Sequence, residues 1–128
     1  MSNNLENKDD EIIDYGQIKI SDEVVGIIAS LAATEIKGVA GMSGGIAGGI
    51  SEMLGRKNFT KGVKVEVKEK EVTISLYIIV DYGAKIPEVA WEIQESVKNT
   101  VETMTGLNVV EVNINIQGVN IEKEQKEE

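Results

Sequence analysis

The sequence contains no cysteine and no histidine, and it has one proline, one tryptophan and one phenylalanine among 128 residues. Without cysteine there are no disulfide bonds or thiolate metal sites, and without histidine the most common metal ligand and general base is missing. These absences exclude zinc and haem sites and catalysis by Cys-His or Ser-His pairs. We also find no two carboxylates in opposed environments, as glycosidases require. The sequence therefore predicts a protein that is not an enzyme, with no cofactor, no metal and no small-molecule substrate.

Long apolar runs are also missing, since no run approaches the roughly 20 residues that span a bilayer. The N-terminus is acidic, whereas a signal peptide begins with basic residues. We therefore expect a cytoplasmic protein. Its length of 128 residues predicts one domain. Much of the net charge of -9 lies near the two ends. We predict disordered tails at residues 1–15 and 120–128, around a single domain at residues 16–119.

The first half of that domain begins with a short alternating segment, Gly16 to Ile20, which predicts a short strand or none at all. Ser21 is a good N-cap for a helix that runs to about Lys37 and is stopped by Gly38. The interior of this helix, from Val24 to Ala33, is apolar or small on nearly every face. We therefore expect a second surface to cover it, either flanking loops or a subunit or partner.

The second half predicts a hairpin, a helix and a strand. The register sets Val67 opposite Val72, so that the apolar rows of both hairpin strands share one face. The following helix contains Pro87 in its first turn and ends before Gly106. Its predicted core positions are Ile86, Ala90, Ile93, Val97, Val101 and Met104. In the last strand Val110, Val112, Ile114 and Ile116 are predicted to point inward.

The predicted fold is therefore α+β, a two-layer sandwich in β-α-β-β-α-β order with a short first strand. A mainly antiparallel sheet of three to four strands carries both helices on one face, because its strands alternate between apolar and polar side chains.

Six glycines lie between Gly38 and Gly49, and their backbone freedom suits a phosphate-binding loop, a close-packed partner or a hinge. Two G-x-x-G patterns in this stretch resemble the RNA clamp of KH domains, which is a weak signal, and no Walker A lysine follows. Basic residues come after the glycines, interleaved with glutamates. An RNA- or phosphate-binding module is thus an alternative, in which the contact residues are Gly41, Gly44, Gly45, Arg56, Lys57, Lys61 and Lys64. Otherwise the basic residues form a solvated face of the hairpin.

Two blocks of the chain match a known family: GQIKISDEVVGIIASLAATEIKGVAGMS at Gly16 to Ser43, and VDYGAKIPEVAWEIQESVKNTVETMTGLNVVEVNINIQGV at Val80 to Val119. The chain resembles the alkaline shock proteins, the cell-envelope stress response proteins of Gram-positive bacteria. This resemblance implies an abundant cytoplasmic protein that self-associates. It also implies that a small integral membrane protein holds some members at the inner face of the membrane. No catalytic residue comes with the family.

These observations favour a non-catalytic interaction protein that forms homo-oligomers and associates peripherally with the membrane. The segment from Ile46 to Leu54 is either a lid over the first helix or an apolar latch offered to a partner or to the membrane interface. The predicted interaction residues are apolar side chains on the first helix, in this segment and on the outer face of the hairpin: Ile27, Leu31, Ile46, Ile50, Met53, Leu54, Tyr77 and Ile79.

Overall fold

A computed structural model describes residues 15–44 and 61–121 of the chain. The elements follow one another as α1 (Asp22–Thr34), β1 (Val39–Met42), β2 (Val63–Lys68), β3 (Glu71–Asp81), α2 (Ile86–Thr105) and β4 (Asn108–Asn120). The predicted tails lie outside the described residues, apart from their innermost positions.

Both helices begin and end at residues suited to those positions. The N-cap Ser21 accepts a hydrogen bond from the backbone N–H of Val24, as predicted, and α1 ends at Thr34, before the predicted Lys37. Pro87 lies in the first turn of α2, where its missing N–H costs nothing. Gly106 ends α2 with φ of 80°, a left-handed conformation that favours glycine.

The sheet is organised around β3, its longest internal strand. β2 and β1 pair with β3 in antiparallel orientation, whereas β4 pairs with it in parallel along its whole length. Because β4 occupies one edge of β3, β1 and β2 must follow one another along the other edge. The hairpin register is as predicted, with Val67 opposite Val72 and a two-residue turn at Glu69 and Lys70.

The core lies between this sheet and the two helices. Alternate residues of β3 are completely or almost completely buried on one face of the sheet: Val72, Ile74, Leu76, Ile78 and Val80. They form one cluster with Val25, Ile28 and Ala29 of α1 and with Val89, Ile93, Val97 and Val101 of α2. The two helices therefore cover the same face, and the predicted two-layer α+β sandwich is confirmed.

The first predicted strand is wrong in its position. Gly16 to Ile20 has no regular secondary structure, and the side chain of Ile18 is 92% exposed. Both edges of β3 are already occupied, so this segment has no strand to pair with there. The additional strand is instead β1, which follows α1 and lies inside the glycine-rich stretch.

Three predicted inward positions are also wrong. Val110 is 48% exposed, because the pairing of β4 with β3 shifts by one residue between Val109 and Glu111 and buries Val109 in its place. Ile86 and Met104 are 39% and 65% exposed at the two ends of α2. Both residues lie on the side of α2 that faces the core, as predicted. They are exposed because the ends of the helix extend past the surface that covers its middle.

Candidate interaction surfaces

The outward side of α1 carries an apolar stripe formed by Val24, Ile27 and Leu31. Their spacing of three and four residues places them on one side of the helix. Val24 and Leu31 are 43% and 45% exposed, and Ile27 is half-buried. The other side of α1 packs in the core, so the sequence indicated Ile27 and Leu31 and missed Val24. An α1 stripe of this kind is a surface on which another apolar surface can pack.

The outer face of the sheet, opposite the helices, contains Tyr77 and Ile79, both half-buried. Ile79 lies between Gly41 of β1 and Gly118 of β4 in the sheet register. Its Cδ1 atom is 3.3 Å from the position that a Cβ at Gly118 would occupy. The sequence thus placed these two side chains on the correct face, and part of each is covered by neighbouring strands.

The edge formed by β1 and β2 is interrupted opposite Tyr77. The backbone N–H of Ser43 donates to the Tyr77 carbonyl at 2.8 Å, and the N–H of Tyr77 donates to the Gly62 carbonyl at 2.8 Å. Ser43 and Gly62 therefore meet the sheet at the same point. At Gly62, φ is 83° and an added Cβ would lie 2.8 Å from the Ser43 carbonyl oxygen, so only glycine fits there without strain.

The predicted anion-contact residues that the structure describes lie near this interruption but do not converge on one point. Gly41 is in β1, while Lys61 lies alongside Gly44, with its Cδ 3.9 Å from a Cβ built there. Lys64 lines an open groove of about 440 Å³ with Val65, Glu66, Thr73, Ser75 and Tyr77. Glu66 places a negative charge in the same groove, so an anion would meet charges of both signs there.

The remaining candidates fall outside the described residues. These are the apolar residues Ile46, Ile50, Met53 and Leu54 and the anion-contact candidates Gly45, Arg56 and Lys57.

The β4 edge, which is the side of β4 that faces away from β3, is covered only along its first part by side chains of α2. Gln94 Nε2 donates to the Val112 carbonyl at 3.0 Å, and Lys98 Nζ donates to the Val109 carbonyl at 3.2 Å. Glu102 Oε2 accepts from the Val109 N–H at 2.9 Å. Three polar side chains one turn apart thus take the place of a neighbouring strand.

Glu102 and Lys98 also form an ion pair at 2.8 Å. The hydrogen bond from Lys98 lowers the pKa of Glu102 below its ordinary value, and the hydrogen bond from the Val109 N–H lowers it further. The carboxylate that caps the start of β4 is therefore charged at neutral pH.

Beyond Val112 this cover ends. The only tryptophan of the chain, Trp91, lies one turn before Gln94 on the same side of α2 and is 58% exposed. Trp91 was not among the interaction residues predicted from the sequence. The sequence does indicate its exposure, because Trp91 lies outside the three-four pattern of core positions on α2.

Within residues 15–44 and 61–121, no group of three or more acidic side chains is arranged to hold a metal ion. None of the helices described there is both long and apolar enough to cross a membrane.

Comparison with protein families places the whole described region in one match. The sequence model of the alkaline shock protein 23 family, described as having a cell envelope-related function, matches residues 10–121. The match includes both helices and all four strands.

Curated relatives cover most of the chain. The uncharacterized protein YqhY of Bacillus subtilis (strain 168) is 39% identical over 125 residues, which are 98% of this chain and 93% of that protein. The uncharacterized protein YloU of the same strain is 45% identical over 109 residues, or 84% of this chain and 91% of that protein. A stress response regulator gls24 homolog of Streptococcus pyogenes serotype M3 is 33% identical, covering 88% of this chain and 63% of that protein.

Among solved structures, one form of the MamM CTD is similar to this chain with a TM-score of 0.47 and 17% sequence identity. The similarity covers 75% of this chain and 96% of that one.

Proposed function

Because the chain belongs to the alkaline shock protein 23 family of cell envelope-related proteins, we propose that it is a non-catalytic interaction protein of the cell-envelope stress response. It self-associates in the cytoplasm and is held at the inner face of the membrane by an integral membrane protein. The resemblance of the two sequence blocks and the name of the gls24 homologs support this proposal.

The structural observation that carries the proposal is the α1 stripe. Burying a valine, isoleucine or leucine side chain contributes about 1.5–3 kcal/mol, and these three are already about half covered. The α1 stripe can therefore contribute about 2–4 kcal/mol, which alone corresponds to a dissociation constant of roughly millimolar or weaker. Such a surface supports assembly when it acts together with further contacts, as in an oligomer or at an anchored partner.

The α1 stripe is tested by Leu31→Glu, which places a charge in its exposed part. We expect the dissociation constant for self-association, measured by sedimentation velocity, to rise at least about tenfold, because a buried carboxylate is costly without a partner. The free energy of unfolding should change by only about 0.5 kcal/mol, since Leu31 is half-exposed. Asn99→Glu is the matched control, because it adds the same charge at an exposed position of α2.

A crosslinked pull-down of the tagged protein from its native cells tests the partner, with membrane and soluble fractions analysed separately. Recovery of an integral membrane protein at near-equal abundance supports the proposal. Recovery of RNA from the soluble fraction, with no membrane partner, contradicts it and favours the RNA-binding alternative. A strictly monomeric protein, or equal assembly of Leu31→Glu and Asn99→Glu, contradicts the role of the α1 stripe.

A further inference from the structure

The β4 edge has unpaired backbone groups beyond Val112. In a regular strand the backbone groups of alternate residues point to the same side. The hydrogen bond from Gln94 of α2 shows that the Val112 carbonyl points away from β3. Pairing with β3 continues in steady register from Thr73 to Ile78, so Ile114 and Ile116 present their N–H and C=O groups to the same side as Val112. No residue within 15–44 or 61–121 pairs with these groups.

This part of β4 also lacks the charges that normally protect a strand edge. The ten residues from Val112 to Ile121 (VNINIQGVNI) contain no Lys, Arg, Asp or Glu, in a chain of which 27% is charged. Edge strands of natural proteins are usually protected by charged side chains, especially lysine, by proline or by a covering element. The part of the β4 edge beyond Val112 has neither charge nor proline, and its own Val119 and Ile121 are exposed apolar side chains, as is Trp91 on α2.

We propose that the β4 edge pairs with the β4 edge of a second copy of this chain, in antiparallel orientation about a two-fold axis at Asn115. This inference rests on the self-association proposed above and assigns a surface to it. The axis follows from the unpaired groups, because only a centre at Asn115 sets Ile114 opposite Ile116 of the second copy while leaving the Val112 carbonyl to Gln94. The two sheets then continue into one another through four backbone hydrogen bonds.

Charge selects this edge as the place where the proposed self-association occurs. Two copies that each carry a net charge of -9 repel one another over most of their surfaces. An uncharged strand edge is where they can approach at the least cost, and antiparallel pairing places no like charges opposite one another. Trp91 of each copy then lies beside the junction on the helix side, where an exposed aromatic ring is suited to pack across an interface.

The absence of cysteine makes a direct test simple. Asn115→Cys places one thiol at the two-fold axis. There the two residues form a non-hydrogen-bonded pair with Cα atoms about 4.5 Å apart, within the range that a disulfide spans. We expect mild oxidation to convert most of this variant into a covalent dimer. Lys64→Cys is the control, because Lys64 is exposed in β2 on the opposite edge of the sheet. This variant should remain mostly monomeric.

A charge exchange provides an independent readout. Asn115→Lys and Asn115→Glu each place like charges opposite one another in the dimer, so we expect each to raise the dissociation constant of the homodimer at least about tenfold. Mixing the two should restore dimers, because the charges then attract. Since the Asn115 side chain donates to the Leu76 carbonyl at 3.3 Å, restoration by mixing also shows that both variants are folded.

The outcomes separate this inference from the function on which it rests. The inference is wrong if the wild-type protein self-associates in sedimentation velocity, yet Asn115→Cys crosslinks no better than Lys64→Cys and mixing restores nothing. Self-association through another surface then stands. A wild-type protein that is monomeric up to about 100 μM, where a dissociation constant near micromolar would show dimers, overturns both.

Discussion

The two edges of the sheet are built from different residues and treat their unpaired backbone in different ways. On one edge, three of the six residues of β2 are charged: Lys64, Glu66 and Lys68. The same edge is interrupted where Ser43 and Gly62 meet opposite Tyr77. On the other edge, β4 is one strand with two register shifts, its first part is bound by α2 side chains, and the ten residues from Val112 to Ile121 carry no charge.

This difference teaches where the protein is protected from pairing and where it is open to it. Charges and interruptions are the common means of blocking an edge, because a strand that adds there must bury or displace them. β2 has both, and the second half of β4 has no charge. The comparison therefore predicts that the proposed self-association is blocked along β2 and uses β4, and this prediction can be tested on both edges.

The largest effect on stability is expected at the interruption of the β1–β2 edge. In Gly62→Ala the new Cβ lies 2.8 Å from the Ser43 carbonyl oxygen, and φ is in the left-handed region. We expect the free energy of unfolding to fall by about 1–3 kcal/mol, measured by urea denaturation.

Gly41→Ala on the same edge is the control, because a Cβ at Gly41 meets no atom within 4 Å. It should change the free energy of unfolding by only about 0.5 kcal/mol. Equal losses in the two variants would mean that the close approach of Ser43 and Gly62 is not what defines this edge.

The protective role of the β2 charges is tested by removing them. Replacing Lys64, Glu66 and Lys68 with threonine takes away two positive charges and one negative charge, so the net charge changes from -9 to -10. General repulsion between copies increases, and yet we expect the dissociation constant for self-association to fall about tenfold, because threonine favours strand pairing and no charge protects the edge.

Replacing Glu88, Glu92 and Glu95 on the exposed side of α2 with glutamine is the control, since it removes three charges away from both edges. If this control associates as strongly as the β2 variant, net charge and not the edge sets the association. An unchanged β2 variant would show that its charges do not protect the edge.

Much of the fold was accessible from the sequence, and the rest was not, for physical reasons. Alternation sets which side chains face the core, so the register of Val67 and Val72 and the confirmed two-layer sandwich followed from the pattern. Alternation does not say which strand lies next to which, so the parallel pairing of β3 with β4 was not predicted. β1 was missed because four residues within a glycine-rich stretch show no period.

The candidate interaction residues were accessible only in part. Ile27 and Leu31 stood out because the helix pattern left apolar residues on its outward side. Trp91 and the β4 edge did not stand out in the sequence. The exposure of the Trp91 side chain and of the backbone groups of β4 depends on how far each element extends past its neighbour. Val110 was assigned to the wrong side because a single register shift reverses the alternation.

The smallest effect concerns the covered part of the β4 edge and appears as a dependence on pH. Hydrogen bonds from Lys98 and from the Val109 N–H lower the pKa of Glu102. A carboxyl group whose pKa is lowered in the folded state stabilises the folded protein at pH values above its ordinary pKa of 4.5. This stabilisation is lost as the pH falls through the lowered pKa. Wild-type protein should therefore be more stable than Glu102→Gln at neutral pH, and the difference should shrink in acid.

Urea denaturation at several values between about pH 7 and about pH 3 measures this difference. Glu95→Gln is the control, because it removes a carboxylate from α2 without touching β4. If the difference stays constant down to the acid end, the charge of Glu102 does not hold the start of β4. If it shrinks as expected while the Asn115→Cys crosslink forms equally well at neutral pH with and without Glu102→Gln, the two parts of this edge act independently, one held by α2 and the other free to pair with a second copy.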